Sequence, residues 1–557
     1  MSSVYLNTVL IPSARYVEPE MQLEVGRVPP VLILVNGKPI LELIVESYAT
    51  LLGNTRFVIC AHEGIEKIQE YVERRMMTSV VSVVDVGQTE DLAETIGYAM
   101  ELLGSDFSGN IYINFGDTVI NAPLELDTDA VYYDSVPESY RWATFRREED
   151  DLIIIDRFNS DSISFQSVFA GVFLLKDSKL FLRCLTLASA APKLGRFYVA
   201  LKEYLHGRMV EFIKVNDWFD FGHVDNYFSS KKNFINKRFF NQIKIDEYRA
   251  IVEKRSRHTQ KFYGEIKWYL EMPADLRCYL PQVYNHALSG DDSFIQLEYY
   301  GYPALSEIYL IGGHSLSIWN HALEAIFRLL SEMQAYRVRV KPEELRAAVR
   351  SMYVAKTMDR LRIAAEIPEL KCFFENSVVI NGKTYSSLWV QLEDLPDLVE
   401  RYLTLSLSEM SIIHGDACLS NILFDPKSRI IKLIDPRGQF GNQTIYGDFR
   451  YDLAKLSHSF HGFYELILSD SFELNYAEGA LEWRILKSEQ QNKLSETFER
   501  RLMSSFAEQV SQIRLIEALL FLSMAPLHKD APRRQMVMLA TGIEQLNEAV
   551  ATLRASV

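Results

Sequence analysis

The sequence carries no mark of export or of a membrane span. Its five cysteines, Cys60, Cys184, Cys278, Cys372 and Cys418, include no C-x-x-C pair, and an odd, scattered set supplies neither a disulfide framework nor a zinc site. No apolar run approaches the roughly 18 residues that a bilayer requires, and the start, M-S-S-V-Y-L-N-T, has neither the basic region nor the apolar stretch of a signal peptide. The expectation is a soluble protein of the reducing cytoplasm with no transmembrane segment. Positive charge is also in short supply: 59 Lys and Arg stand against 74 Asp and Glu, a net charge of −15. Such a surface argues against nucleic acid as the main partner while leaving room for a local basic pocket. The one basic stretch with interleaved aromatics, 228–248, reads as a helix leaving a first domain with a solvated basic face. Linkers rich in Pro, Gly and Ser, repeats and low-complexity segments are missing too. A chain of 557 residues is too long for one core, so two domains with a short joint are expected, at 1–240 and 241–557.

What is present is concentrated in 411–437, S-I-I-H-G-D-A-C-L-S-N-I-L-F-D-P-K-S-R-I-I-K-L-I-D-P-R. Two short apolar runs, 422–424 and 430–434, read as a β-hairpin turning at Asp425-Pro426, with His414, Asp416, Asn421 and Asp435 in the loops around it. Phosphoryl transfer needs a carboxylate to orient the attacking hydroxyl and accept its proton, and oxygen ligands to hold Mg²⁺ on the phosphates. Asp416, Asn421 five positions on, and Asp435 past the hairpin make up that set. The spacing is that of the kinase loop H-x-D-x-x-x-x-N followed by a metal-binding Asp. Upstream, 250–254 reads as a strand ending in Lys254 and 261–270 as a helix carrying Glu265; a kinase site needs such a strand lysine on the nucleotide phosphates, held by a glutamate from the next helix, and Lys261 remains an alternative. The run 294–299 reads as the last strand before a hinge, Asn381-Gly382 as a small hairpin turn, and 315–337, 342–363, 395–407, 490–527 and 533–553 as helices.

H-G-D-x-x-x-x-N, I-D-P-R, Gly447-Asp448 and Tyr451-Asp452-Leu453-Ala454 together resemble the aminoglycoside phosphotransferase and choline kinase family, over about 245–530. The resemblance implies a bilobal α+β kinase-like domain, with an N-lobe at about 241–305 and a helical C-lobe at about 306–557, that phosphorylates small-molecule hydroxyls with ATP. It also implies Asp416, with His414, as catalytic residues, Asn421 and Asp435 as Mg²⁺ ligands, and Asp452 as a carboxylate bracing the loop.

In the first half, short β-rich runs at 4–11, 31–35, 56–60, 80–84 and 111–115 alternate with helical patterns at 41–52, 64–75 and 90–103. That alternation predicts a mostly parallel, doubly wound α/β sheet, with ligands at the carboxyl ends of the strands, where Asp117 falls. V-N-G-K-P-I-L-E (35–42), G-Q-T-E-D-L-A-E-T-I (87–96), F-G-D (115–117) and W-F-D-F-G (218–222) resemble the sugar-phosphate nucleotidyltransferases. By that resemblance Asp117 and Asp220 would hold Mg²⁺ and Arg15 would meet the nucleotide, CTP or another NTP. The D-F-G within 218–222 precedes H-G-D by almost two hundred residues, the wrong order for a kinase metal motif. The first loop, I-P-S-A-R-Y-V-E-P, lacks the family's glycines, and Pro29-Pro30 stand where its lysine is expected.

The expected function is therefore bifunctional. A small alcohol, amino alcohol or sugar is phosphorylated, and a phosphorylated small molecule is then joined to a nucleotide, a pairing that by resemblance suits capsule or lipopolysaccharide precursors. The alternative is a kinase whose first domain only binds or scaffolds, and a third reading is a pseudoenzyme.

Overall fold

A strand apolar on both faces has to be covered on both faces, and β1 (Asn7–Ser13) has six of its seven residues buried. The computed structural model describes residues 6–35, 37–104, 109–136, 142–148, 151–155, 166–190, 195–239, 243–246, 248–256, 259–288, 293–311, 313–477, 479–529 and 531–555. Of the stretches read above, 1–5, Asn36, the side chain of Asp225, side chains 235–242 and Glu247 lie outside the described residues. The chain divides into two units, Met1–Arg238 and Phe239–Val557.

In the first unit β2 (Thr55–Ala61), β3 (Val81–Asp85) and β4 (Asn110–Asn114) run parallel with β1 in the order β3-β2-β1-β4. Helices α1 (Ile40–Ala49), α2 (Ile65–Arg74) and α3 (Leu92–Leu103) alternate with them, and Asp91 caps α3 through the Glu94 amide. This is the doubly wound part that the alternation predicts. The rest of the sheet is antiparallel in character. After β5 (Thr118–Asn121) come β6 (Asp129–Val136), β7 (Thr144–Glu148), β8 (Asp151–Ile155), β9 (Gln166–Leu175), β10 (Val210–Lys214) and β11 (Asp217–Asp220). β9 pairs antiparallel with β4, β6 and β7, β7 and β8 form an edge hairpin, and β10 lies parallel beside β6, giving a mixed sheet of nine strands. β5 and β11 form a separate two-stranded ribbon, with Thr118 opposite Asp220.

The second unit opens with a four-stranded antiparallel sheet in the order Ile243–Asp246, Ile251–Arg255, Phe294–Glu298, Val283–Ala287. The helix Thr259–Glu271 buries Phe262, Ile266, Trp268 and Tyr269 in the core of this unit. Helices follow: Leu316–Ala335 replaces the expected 315–337, and Pro532–Ala555 the expected 533–553. Two of the expected helices contain π-helical segments, Arg350–Ala355 within 342–363 and Val399–Thr404 within 395–407. The stretch 490–527 is interrupted at Ala507–Gln509, where Phe506 leaves helical geometry (φ −140°, ψ 33°). Its apolar part is long enough by composition to cross a bilayer, but 78% of that window is buried inside the protein, as in a core helix. The hairpin at 422–434 forms from Ile422–Asp425 and Ile430–Leu433, and Asp425 closes its turn by accepting the Lys427 amide at 3.0 Å.

Candidate active sites

In the second unit the loop after the short strand Met410–Ile412 is held from several sides. Asp452, at the start of the helix Arg450–Phe460, accepts the His414 and Gly415 amides at 2.6 and 2.8 Å, one on each carboxylate oxygen. Trp268 donates its indole N–H to the Ile413 carbonyl at 2.7 Å and sets its ring edge-on to His414. His414 is 1% exposed. Its Nδ1 accepts the Asp416 amide at 3.3 Å, so the proton belongs on Nε2, which donates to the Ile434 carbonyl at 3.0 Å. Burial depresses the imidazole to about 4, leaving it neutral at pH 7. Both ring nitrogens are thus spent on the backbone. His414, expected beside Asp416 as a catalytic residue, ties the loop to the hairpin through both ring nitrogens.

Asp416 stands at the tip of this loop. Asn421 donates to its carbonyl at 2.9 Å and to Oδ2 at 3.3 Å, while Lys455 pairs with Oδ1 at 2.8 Å. Burial works to raise the Asp416 carboxyl, but the Lys455 ammonium outweighs it and holds the group at about 2, ionised at pH 7. Across the hairpin Asp435 takes a left-handed conformation, φ 55°, a strained choice for a non-glycine residue that its surroundings fix. Its amide donates to the Tyr269 hydroxyl at 3.2 Å, and Oδ1 accepts from Lys254 at 2.9 Å. Lys254 also pairs with Glu265 Oε1 at 2.8 Å. Burial opposes the lysine's charge, yet the two carboxylates raise its pKa, whereas burial pushes Glu265 up to about 7. Lys261, the alternative, is exposed on the helix Thr259–Glu271.

Lys254, Glu265 and Asp435 thus form one cluster and Asp416, Asn421 and Lys455 another, joined through the backbone where the Ile434 amide donates to the Asn421 carbonyl at 3.0 Å. Among the described residues no three His, Cys, Asp or Glu side chains cluster as a metal cage. A hard cation suits the donors that are present, a carboxylate and an amide oxygen, with its remaining ligands coming from phosphate and water, as Mg²⁺ usually takes them. Sequence reading passed over Lys455, Trp268 and Tyr269. The only signal for Lys455 is its place three residues after Asp452, on the same face of one helix.

In the first unit Asp117 and Asp220 meet at the carboxyl end of β4. The Phe221 amide donates to the Asp117 carbonyl at 2.9 Å, and a Cβ on Gly222 would fall 2.1 Å from Asp117 Oδ2, so only glycine lets the two segments close. Asp220 Oδ2 accepts from Trp142, His223 and Asn226, each at 3.0 Å, and Oδ1 accepts the Gly222 amide at 2.9 Å. Burial works against the Asp220 charge but these donors hold its pKa low; Asp117, buried and beside that charge, is pushed up to about 6. Two carboxylates so placed suit a divalent cation, which would relieve their repulsion. They open on a cavity of about 370 Å³, also lined by Trp142, Trp218, Arg196 and Tyr198. Arg15 is not part of that lining. Its guanidinium donates to the Thr89 and Glu90 carbonyls at 2.6 and 2.7 Å, so the expected nucleotide contact is committed to the backbone instead. Pro30 is not part of that lining either. The D-F-G of 220–222 belongs to this unit.

A strand lysine paired with a helix glutamate, a loop aspartate and a hairpin aspartate, set in a small sheet followed by helices, have the arrangement of a kinase-like phosphotransferase. Residues 234–486, a little under half the chain, match the phosphotransferase enzyme family. The chain is thus an enzyme with a kinase-like domain. Solved structures similar to its N-terminal part include the nucleoside-diphosphate-sugar pyrophosphorylase from Vibrio cholerae RC9, at 16% identity over 40% of this chain and 99% of that one, TM-score 0.34. The UDP-glucose pyrophosphorylase from Acinetobacter baumanii is similar at 12% identity over 42% of this chain and 95% of that one, TM-score 0.33. No curated protein matches the chain.

Proposed function

We propose that the second unit transfers the γ-phosphoryl group of ATP to the hydroxyl of a small molecule. The observation that carries this is the convergence of Lys254, Glu265 and Asp435 at one end of the site with Asn421 and ionised Asp416 at the other. Lys254, oriented by Glu265, holds the nucleotide phosphates. Asn421 and Asp435 would hold Mg²⁺, which when bound neutralises phosphate charge and orients the transfer. Asp416 orients the acceptor hydroxyl and takes its proton as the oxygen bonds to the γ-phosphorus and ADP leaves. A carboxyl held at about 2 is a weak base, so its main work is orientation, with proton transfer late in the reaction.

For the first unit we propose nucleotidyl transfer from CTP or another NTP to a phosphorylated small molecule, Asp117 and Asp220 holding the metal. The open cavity beside the two carboxylates supports this. Consecutive reactions of this kind would supply nucleotide-linked units such as surface polysaccharides use. A second reading, a domain that only binds, is favoured by the engagement of Arg15 with backbone carbonyls and by prolines at 29–30. The test is to follow ADP and pyrophosphate separately, with Mg²⁺, each NTP and a panel of alcohols and their phosphates. Nucleotidyl transfer predicts pyrophosphate that Asp117→Ala abolishes while ADP release continues. Pyrophosphate at background with every NTP, even with the kinase product supplied, would leave the binding reading.

A further inference from the structure

Beside Asp416, on the flank away from Asn421, four cationic side chains come together from three segments. Lys455 and Tyr451 lie one helical turn apart on Arg450–Phe460, Lys356 and Arg360 one turn apart on Lys356–Ala365, and Arg437 follows Asp435-Pro436. Lys356 donates to the Tyr451 hydroxyl at 2.8 Å, and Arg437 reaches the same oxygen at 3.5 Å. A Cβ on Gly415 would come within 2.9 Å of Arg437 Cβ, so the Arg437 side chain lies against the Asp416 loop. The Arg360 guanidinium donates to the Ser523 carbonyl at 3.1 Å and feels the charges of Arg437 and Asp416.

Against these cations stands one ion-paired carboxylate; the other nearby, Asp452, spends both oxygens on the His414 and Gly415 amides. Among the described ion pairs, Lys455 has Asp416 and neither Lys356, Arg360 nor Arg437 has an acidic partner. The neighbouring acids are engaged elsewhere: Asp448 by Arg450, Glu465 by Ser459, and Glu517 by His461 and Arg514. In a chain of net charge −15, a half-buried surplus of positive charge at the acceptor side of the site is a local construction. Its strain shows in the groups themselves. Burial first, and then Arg437 and Lys455, depress the Lys356 ammonium to about 8; burial works to raise Tyr451, but the surrounding cations bring its hydroxyl down to about 8.

We propose that the phosphate acceptor is an alcohol that itself carries an anionic group, a carboxylate or a phosphate, held by Lys356, Arg360, Arg437 and Lys455 while its hydroxyl faces Asp416. The proposal rests on the kinase reading above and narrows its substrate. A cationic acceptor such as an amino alcohol would meet four like charges, and a neutral one would leave them uncompensated. In the reaction the acceptor O–H proton passes to Asp416, the oxygen–phosphorus bond forms, and the bond to the β-phosphate oxygen breaks to release ADP. The anionic group is unchanged.

The test uses the full-length protein with the nucleotide site filled by a non-hydrolysable Mg·ATP analogue, titrated calorimetrically with inorganic phosphate. Wild type should bind phosphate, and Lys356→Met and Arg360→Gln should each bind it at least tenfold more weakly at unchanged melting temperature and analogue affinity. In parallel, glycerate and glycerol 3-phosphate should raise ADP release above glycerol, ethanolamine and choline, and which of the two does so tells carboxylate from phosphate. Absence of phosphate binding by wild type, equal binding by both variants, or faster turnover of glycerol or choline would overturn the proposal. Failure of the Mg·ATP analogue to bind would bring down the kinase reading itself, which separates the two.

Discussion

A carboxylate that pairs with a lysine at pH 7 is ordinary; Asp435 differs because its lysine is shared and its backbone is strained into place. The strain aims the carboxylate at the end of the site where Lys254 lies, and Lys254 is shared there with Glu265. Asp435→Ala should therefore abolish productive Mg·ATP binding, since the phosphates lose their neutralising ion. Calorimetry showing an unchanged Mg·ATP affinity would contradict the assignment. At this scale the sequence was readable wherever spacing along the chain implies proximity. Asp416, Asn421 and Asp435 flank one hairpin, and Lys254 and Glu265 sit on a consecutive strand and helix. It was unreadable where side chains converge from distant segments. Lys455, Lys356 and Arg360 are unremarkable helix residues until two helices bring them to Asp416. Arg15 and His414 lie beside recognisable motifs, and only the structure shows that each hydrogen-bonds backbone atoms.

Elements with an unbroken apolar period were legible. Of the parallel strands, β1, β2 and β4 are largely buried on both faces and read as continuous runs, while β3, at the sheet edge, buries only Val81; the hairpin at 422–433 is announced by its Asp-Pro turn. The antiparallel part of the sheet was not. β6 mixes buried and exposed positions, and β9 is an apolar run over 168–175 that does not by itself say which strands it pairs with, so the antiparallel pairing is decided by the sheet they join. The π-helical segments at 350–355 and 399–404 were equally hidden, because one extra residue in a turn leaves the helical period of the sequence almost unchanged.

Each unit has its own hydrophobic core, and the larger one buries a charge network that ties the stability of the second unit to pH. Glu517 is fully buried. It accepts from His461 at 2.9 Å and Gln545 at 3.1 Å on one oxygen, and from Arg514 at 2.7 Å and Ser457 on the other. Burial works against its charge, but His461 and Arg514 hold the carboxyl at about 2, below its ordinary 4.5. Because the folded value is the lower one, its contribution is present above the ordinary value and is lost as pH falls through about 2; the full amount is about 3 kcal/mol. Glu517→Gln should melt lower than wild type at pH 6, with the gap narrowing as pH drops below about 4.5. Melting curves that stay parallel across that range would refute this.

The account depends most on Asp416 as the group that faces the acceptor hydroxyl. Its direct test is acceptor-dependent ADP release at saturating Mg·ATP by Asp416→Asn, beside calorimetric Mg·ATP affinity of the same variant. Turnover should fall by roughly 10² to 10⁴, as for loss of the carboxylate that orients the hydroxyl and takes its proton late, with the affinity little changed. Near-normal ADP formation with the acceptor that wild type uses would show that Asp416 does not serve the transfer.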